Sequence, residues 1–246
     1  MMKYKKIDSN RKQTLIFLEL AKAIRGVALI DEIKSHRQYT KYATSLLIKS
    51  ISDALDEERH LNCMIKYGSD NKLIELQDIS ARLTVSYEND GLSTGVYSSV
   101  ITNTNNMSTL EVYRAISDLK SKGISSFDDS KRIRMLQRLP FFFAKWVSKF
   151  IFYFRPAVQR DFFRSFTVTS LGKKSLKLCI PISGSTFTFQ LGSPKILDAD
   201  ECLFNIVMIY DHRVIDGIQA SNLLDKIKTF YSKHLNDLGQ TDVFVE

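Results

Sequence analysis

The stretch from Cys202 to Tyr210 constrains the fold of this chain more than any other. Its letters, CLFNIVMIY, form a nearly unbroken apolar run of β-branched and aromatic residues, which predicts a buried β-strand. The polar segment DHRVIDG follows over residues 211–217. Apolar residues then recur at helical spacing, at Ile218, Leu223, Leu224, Ile227, Phe230 and Tyr231, and predict a helix. The sequence therefore places His212 between the end of a buried strand and the start of an amphipathic helix.

His212 is the histidine with a setting suited to catalysis. An imidazole at a strand end can be partly shielded from water, and it can accept a proton from a thiol or hydroxyl near neutral pH. The other histidines, His36, His60 and His234, lie among polar and charged residues, and we expect them on the surface. No His/Cys/Asp cluster has metal-ligand spacing, and there is no phosphate-binding or dinucleotide glycine motif. We therefore expect neither a bound metal nor a bound cofactor.

The bulk composition favours a soluble globular protein. The 246 residues suffice for one large α/β domain or two small ones, and 44% are hydrophobic and 25% charged. The three cysteines, Cys63, Cys179 and Cys202, lack paired spacing, which predicts reduced thiols in a cytoplasmic protein. No apolar run reaches the length of a membrane span, and no secretory signal follows the basic N-terminus.

The positive charge is concentrated in one segment. The net charge is +8, and residues 128–164 contain nine Lys/Arg and three Asp, which gives this segment +6. Such a bias favours polyanionic partners, namely nucleic acid, anionic lipid, a nucleotide-bearing molecule such as coenzyme A, or an acidic carrier protein. No recognised nucleic-acid-binding signature accompanies the charge, so we expect no nucleic-acid partner.

Periodicity and turn signals predict alternating strands and helices. We expect strands at residues 26–33, 72–76, 82–87, 96–101, 166–171 and 187–191, and helices at residues 39–55 and 108–122. Residues 88–91 carry a hairpin-turn signal, and Ser108 with Glu111 forms a capping box at the start of a helix. This order predicts a large mixed sheet with helices packed on it.

The segment DHRVIDG resembles the active-site signature of the dihydrolipoamide acyltransferases, the cores of 2-oxoacid dehydrogenase complexes. The related chloramphenicol acetyltransferases share its His-x-x-x-Asp-Gly centre. Three further segments resemble the same family: ALIDEI at residues 28–33, LLIKSI at residues 46–51 with the turn after it, and FTVTSLG at residues 166–172. The likeness runs from about Arg11 to Leu235, although the proline that the family has in the second segment is absent.

The resemblance implies an α/β fold, a chloramphenicol-acetyltransferase-like two-layer sandwich with a large mixed sheet and packed helices. It implies a single catalytic domain over residues 1–246, with a polar lead-in at residues 1–10 and neither a lipoyl nor a partner-binding domain. It implies an acyltransferase that works as a homotrimer, with the site between subunits. The donor would be a thioester of coenzyme A or of an acyl carrier protein, and the acceptor a thiol, hydroxyl or amine. The expected enzyme works outside the dehydrogenase complex, in a biosynthetic pathway.

The resemblance also implies roles for the residues that would carry the reaction. His212 matches the family's general base. The family's oxyanion donor is a hydroxyl in the strand that FTVTSLG matches, where Thr169 stands in the position usually held by serine. Ser170 is the alternative donor. Because adjacent strand residues face opposite sides, only one of the two hydroxyls can serve, and we favour Thr169.

Four further residues are expected to shape the site. Asp216 matches an orienting aspartate of the family, whose partner would be Arg11, while Arg213 either pairs with Asp216 or holds the loop. Gly217 fits a close backbone approach where the loop enters the helix.

The aromatic segment at residues 139–154 has no settled counterpart in the long family members, and three structures remain open for it. It could be a helix buried against the sheet or a neighbouring subunit, a wall of an acyl pocket with Trp146 and Phe150 as lining residues, or an interfacial membrane helix. Of the last two we favour the acyl pocket.

Two alternatives to an enzyme stay open at this point. One is a non-catalytic trimeric scaffold that has kept the fold, and the other is a peripheral membrane-binding module that uses residues 131–164. The intact His212 and Asp216 favour the enzyme, because a scaffold has no need of a base.

Overall fold

The computed structural model describes residues 26–69, 72–87, 95–121, 140–170, 179–181 and 183–242. The strands in these ranges are β1 (Gly26–His36), β2 (Cys63–Ile65), β3 (Leu73–Glu75), β4 (Ala81–Tyr87), β5 (Gly95–Ile101), β6 (Phe166–Ser170), β7 (Phe187–Leu191), β8 (Lys195–Ile196) and β9 (Glu201–Asp211). The α-helices are α1 (Ala43–Glu57), α2 (Thr109–Ser121), α3 (Phe141–Phe154), α4 (Pro156–Phe163) and α5 (Gly217–Asp242).

The large sheet has the order β1-β9-β7-β6-β4-β5, and β8 pairs with β9 beside this path. Strands β4, β6 and β7 run parallel to one another, whereas β1, β5 and β9 are antiparallel to their neighbours. Strands β2 and β3 form a separate hairpin. The mixed sheet predicted from the sequence is therefore confirmed.

One face of the sheet carries the main hydrophobic core. Alternate residues of the central strands point into it, and helices α1, α2 and α5 cover it. The core-facing residues of β6, β7 and β9 are Phe166, Val168, Phe187, Phe189, Leu191, Cys202, Phe204, Ile206, Met208 and Tyr210. This alternation is the period of two that a strand imposes on its side chains. A large mixed sheet with helices packed on it is the α/β architecture that we expected.

Local signals in the sequence are also confirmed. The Ser108 backbone N–H donates to a Glu111 carboxylate oxygen at 2.7 Å, and the Glu111 N–H donates to the Ser108 hydroxyl at 3.3 Å, so the capping box is formed. The hairpin turn expected at residues 88–91 lies outside the described residues, although β4 and β5 pair antiparallel on either side of it.

The opposite face of the sheet is more polar and is covered in part by α3, α4 and the β2–β3 hairpin. Buried Arg82 on β4 donates to the Ser98 hydroxyl at 2.7 Å and lies 4.6 Å from the centre of the Phe162 ring. Gly184 lies so close to Phe163 that an added Cβ would come within 1.6 Å of its ring. A side chain at position 184 would clash with the Phe163 ring, so the contact requires glycine. It holds α4 against the segment before β7.

His234 corrects one expectation. It is not on the surface but lies largely buried between α1 and α5, where its Nε2 is 2.8 Å from a carboxylate oxygen of Asp53. Lys49 donates to the other carboxylate oxygen of Asp53 at 2.7 Å. Burial alone would raise the pKa of Asp53, but the hydrogen bonds from His234 and Lys49 bring it below its usual value of 3.8. Polar residues surround His234 in the sequence, but the side of α5 that carries it packs against α1 and buries its side chain.

We expect Asp53→Asn to lower the free energy of unfolding by on the order of 1–2 kcal/mol near pH 6. The folded-state pKa of Asp53 lies below its unfolded value, so its contribution is complete above about pH 4 and is lost as the pH falls further. Urea unfolding at several pH values should show the two proteins converging in acid. Asp225→Asn, at an exposed position of α5, is the matched control and should change little. A pH-independent difference would contradict the assignment.

Candidate functional site

Strand β9 places His212 at one end of the sheet. Tyr210 and Asp211 are buried, and the Asp211 N–H donates to the Thr186 carbonyl at 3.0 Å, which holds the strand to its last residue. His212 is the next residue and is exposed to solvent within this chain. Its ring lies 5.9 Å from the Tyr210 ring, centre to centre. The imidazole therefore stands on a rigid base and is accessible to another molecule.

A charge pair fixes the loop that carries His212. The Arg213 guanidinium donates to both carboxylate oxygens of Asp211, at 2.9 Å from Nε and 2.5 Å from Nη2. The Arg213 backbone N–H donates to the same carboxylate at 3.1 Å, and the Val214 N–H donates to the Asp211 carbonyl at 2.9 Å. Bidentate arginine–carboxylate pairs of this kind are strong and geometrically specific. Of the two roles open to Arg213, the structure thus shows the one that holds the loop.

Asp216 begins helix α5. Its carboxylate accepts a hydrogen bond from the Gln219 N–H at 2.8 Å, and its own N–H donates to the Gln219 side-chain oxygen at 3.3 Å. This is a capping box, which fixes where the helix starts and so fixes the far end of the His212 loop. Asp216 is a positioning residue in this geometry.

Gly217 is the first residue of helix α5. An added Cβ at Gly217 would lie 3.6 Å from the Tyr210 hydroxyl oxygen, which is an ordinary contact. The close backbone approach expected of Gly217 stays a prediction.

Thr169 lies on the face of β6 opposite to Phe166 and Val168. Those two residues are fully buried in the main core, whereas Thr169 is partly exposed. Its neighbours in the sheet are Thr84 on one side and Gln190 on the other. The side chain of Ser170 and all of Arg11 lie outside the described part of the chain, so the choice between the two hydroxyls and the pairing of Arg11 stay predictions.

His212 and Thr169 lie at opposite ends of the strands. Phe166, at the start of β6, is level with Phe187 and with Tyr210 near the end of β9. Thr169 lies three residues past Phe166 along β6. Because β9 runs antiparallel to β6, His212, two residues past Tyr210, lies on the opposite side of that level. At the rise of a strand this separates them by about 15 Å. The two groups do not meet within one chain.

Two residues of this region have a role that the sequence motif does not predict. Asp211 is the anchor of the His212 loop. Gln190 is fully buried beside Thr169, and its side-chain nitrogen has no hydrogen-bond partner among the described residues. The sequence feature that could have pointed to Gln190 is the single amide in the apolar run FTFQL. For Asp211 it is the Asp-x-Arg spacing around His212.

Trp146 and Phe150, the predicted lining of an acyl pocket, both point outward from α3 and are more than half exposed. The structure thus shows these two side chains exposed rather than enclosed, and their role in acyl binding stays a prediction. In the ranges that the structure describes, no three His, Cys, Asp or Glu side chains are grouped to hold a metal ion. In the same ranges, no helix is both long enough and apolar enough to cross a membrane.

Comparison with solved structures identifies the architecture. A probable dihydrolipoamide acetyltransferase from Listeria monocytogenes aligns over 95% of both chains with a TM-score of 0.61 and 22% identity. The dihydrolipoamide acetyltransferase of Azotobacter vinelandii aligns over 93% of this chain and 91% of its own, with a TM-score of 0.65 and 14% identity. This chain has the dihydrolipoamide acetyltransferase fold.

The same fold extends to a more distant enzyme. A chloramphenicol acetyltransferase aligns over 94% of this chain and 98% of its own, with a TM-score of 0.55 and 10% identity. The expected chloramphenicol-acetyltransferase-like architecture is therefore confirmed. No protein-family model matches the chain, and no curated protein sequence matches it significantly.

We expect Arg213→Ala to lower the free energy of unfolding by about 3 kcal/mol, because it leaves the buried Asp211 carboxylate without its cation. The matched control is Arg59→Ala, which removes the exposed ion pair to Asp56 and should cost under about 0.5 kcal/mol. Chemical denaturation of the three proteins measures both values. Equal costs for the two variants would mean that the pair does not hold the loop.

Proposed function

We propose that this protein is an acyltransferase that moves an acyl group from a thioester to a thiol, hydroxyl or amine. The donor is a coenzyme A or acyl-carrier-protein thioester, and His212 is the general base. The observation that carries the proposal is the placement of His212, accessible to solvent on a loop pinned by the Arg213–Asp211 pair and the Asp216 cap. The fold shared with acetyltransferases supports it.

A histidine held in this way suits the demands of acyl transfer. A general base must keep one orientation through the reaction, since its nitrogen has to lie within hydrogen-bond reach of the acceptor's proton. The loop is held at its start by Asp211 and at its end by Asp216, so the backbone around His212 is fixed on both sides. In the Azotobacter vinelandii enzyme a serine, a histidine and an asparagine have been studied for roles in catalysis, and the latter two lie four positions apart, as His212 and Asp216 do.

The distance between His212 and Thr169 argues for a site shared between subunits. The base and the oxyanion donor must both lie within about 3 Å of the reacting groups. Separation by about 15 Å along the strands rules this out inside one chain. We infer a homotrimer in which His212 of one subunit faces Thr169 of the next. The edge strand β1, which exposes Val27 and Ile30, offers apolar surface for such an assembly.

In the proposed reaction the acceptor replaces the thiol at the acyl carbonyl. His212 takes the proton from the acceptor, whose sulfur, oxygen or nitrogen then attacks the thioester carbonyl. The Thr169 hydroxyl donates a hydrogen bond to the oxyanion of the tetrahedral intermediate. The carbon–sulfur bond breaks, and the departing thiolate takes the proton back from the imidazolium. The products are the acylated acceptor and a free thiol.

We expect His212→Ala to lower the rate of acyl transfer at least ~100-fold, the usual contribution of a positioned base. The assay follows thiol release from a panel of acyl-coenzyme A and acyl-carrier-protein thioesters. His60→Ala is the matched control, because His60 is an exposed histidine away from the loop. Loss of activity in both variants, or in neither, would count against His212. A wild-type chain that consumes no thioester would favour the non-catalytic scaffold.

A mixture of His212→Ala and Thr169→Val subunits should regain activity that neither variant has alone. Each interface that joins an intact His212 to an intact Thr169 restores one site, so about a quarter of wild-type activity is expected after random exchange of equal amounts of the two variants. Ser170→Ala serves as the companion variant. Demonstrated subunit exchange without recovery would refute the shared site, and inactivity of Ser170→Ala beside an active Thr169→Val would move the oxyanion role to Ser170.

A further inference from the structure

Helix α3 presents six aromatic side chains on one exposed side. Their exposed fractions lie between 49% and 74%, and the side chains are those of Phe142, Phe143, Trp146, Phe150, Tyr153 and Phe154. We call this surface the aromatic face. The opposite side of the helix, with Ala144, Ser148 and Phe152, is buried against the rest of the chain. The helix is thus anchored on one side and leaves its largest apolar groups in solvent.

The rings of the aromatic face form one continuous surface. Trp146 stacks on Phe150 with 5.6 Å between ring centres, and the ring centres of Phe150 and Phe154 are 4.5 Å apart. Tyr153 meets Phe154 edge to face at 4.9 Å. The helix is about 20 Å long, and the six rings expose on the order of 600 Å². A contiguous patch of this size on a single chain marks an interaction surface.

The charged residues of α3 and of the segment after it are basic. Residues 140–160 contain four Lys/Arg and no Asp or Glu. On the helix, Lys145 and Lys149 follow one long edge of the face, since each lies about one turn from an exposed ring. The Lys66 ammonium lies 5.7 Å from the centre of the Tyr153 ring, at the C-terminal end. An occupant of this surface must therefore accept both apolar rings and cations.

We propose that the aromatic face docks onto the surface of an anionic lipid membrane. A helix that lies in the interface buries Trp and Phe at the boundary of headgroups and acyl chains, while its lysines reach the phosphates. The 14 residues of α3 are too few to span a bilayer, so the helix lies along the surface. Trp146 and Phe150 then contact lipid, which selects the membrane alternative over the acyl pocket for this segment.

Other occupants fit the charge or the rings less well. If a second copy of the chain bound here through the same face, the lysines of the two copies would oppose one another across the contact. Single-stranded nucleic acid stacks its bases on separate aromatic platforms. Here the rings pack on one another, which leaves a continuous apolar surface with few open ring faces. Anionic lipid satisfies both the apolar area and the positive charge.

Trp146 is the sole tryptophan of the chain, so its fluorescence reports on the aromatic face alone. The full chain is mixed with vesicles of phosphatidylcholine, or of an equimolar mixture of phosphatidylcholine and phosphatidylglycerol. We expect co-sedimentation with the mixed vesicles, a shift of Trp146 emission to shorter wavelength, and quenching by brominated acyl chains. Higher salt should weaken binding, because the attraction to the anionic surface is screened.

Variants separate the apolar component of membrane binding from the electrostatic one. The double change Trp146→Ser and Phe150→Ser should weaken partitioning at least ~10-fold, since two exposed rings no longer enter the lipid. Lys145→Gln and Lys149→Gln should each weaken binding to the mixed vesicles roughly 5-fold. The matched control, Ile196→Ser with Leu197→Ser, removes exposed apolar side chains from another surface and should bind as the wild type does. Circular dichroism of each variant checks that the fold persists.

The wild-type chain alone can overturn the proposal. Failure to bind mixed vesicles, or binding without a change in Trp146 emission, would do so. Emission that is already shifted without lipid and reverts on dilution would assign the face to a second copy of the chain. Quenching by single-stranded nucleic acid without any effect of lipid would assign it to nucleic acid. These measurements involve no turnover, so their failure leaves the proposed acyl transfer untouched, and the reverse also holds.

Discussion

Strand β9 is the element on which the rest of the structure depends. It pairs with β1 along its full length, with β7 over residues 206–210, and with β8 near its start. Its core-facing side chains are buried beneath the helices, and its other side is at least half-buried. A strand that is paired on both edges and packed on its core face cannot shift register, because a slip of one residue would turn its apolar side toward solvent. Whatever follows β9 is therefore held in a fixed place.

The position of His212 follows from this constraint. The last residue of β9 is Asp211, and its buried carboxylate needs a cation and hydrogen-bond donors close by. Arg213 supplies them from two residues away, which forces the chain to turn and leaves His212 at the outer side of the turn. The stability of the core and the exposure of the imidazole are thus linked through one charge pair. A change at Arg213 would disturb both.

Two features of the described residues call for a second molecule. The sheet separates His212 from Thr169, so any reaction that uses both needs a second subunit. The aromatic face of α3 exposes an apolar area at the upper end of what an isolated chain commonly does. The two features are physically distinct, because the first concerns groups at strand ends and the second concerns a basic helix on the polar side of the sheet. An enzyme assembled from subunits and held at a membrane surface would account for both.

The sequence by itself determined most of the elements and the place of His212 directly after β9. Strand and helix periods are local, so β1, β4, β5, β7, β9 and α5 could be placed within a few residues, and the capping box at Ser108 was specified by two side chains. Only the tertiary structure decided which polar residues are buried. His234 has polar neighbours in sequence, yet α1 covers it; Asp211 ends a strand, yet it anchors a loop. Likewise the register across three strands, which no local pattern encodes, set the distance between His212 and Thr169. Contacts between residues far apart in the chain decide burial and distance, and a local pattern contains neither.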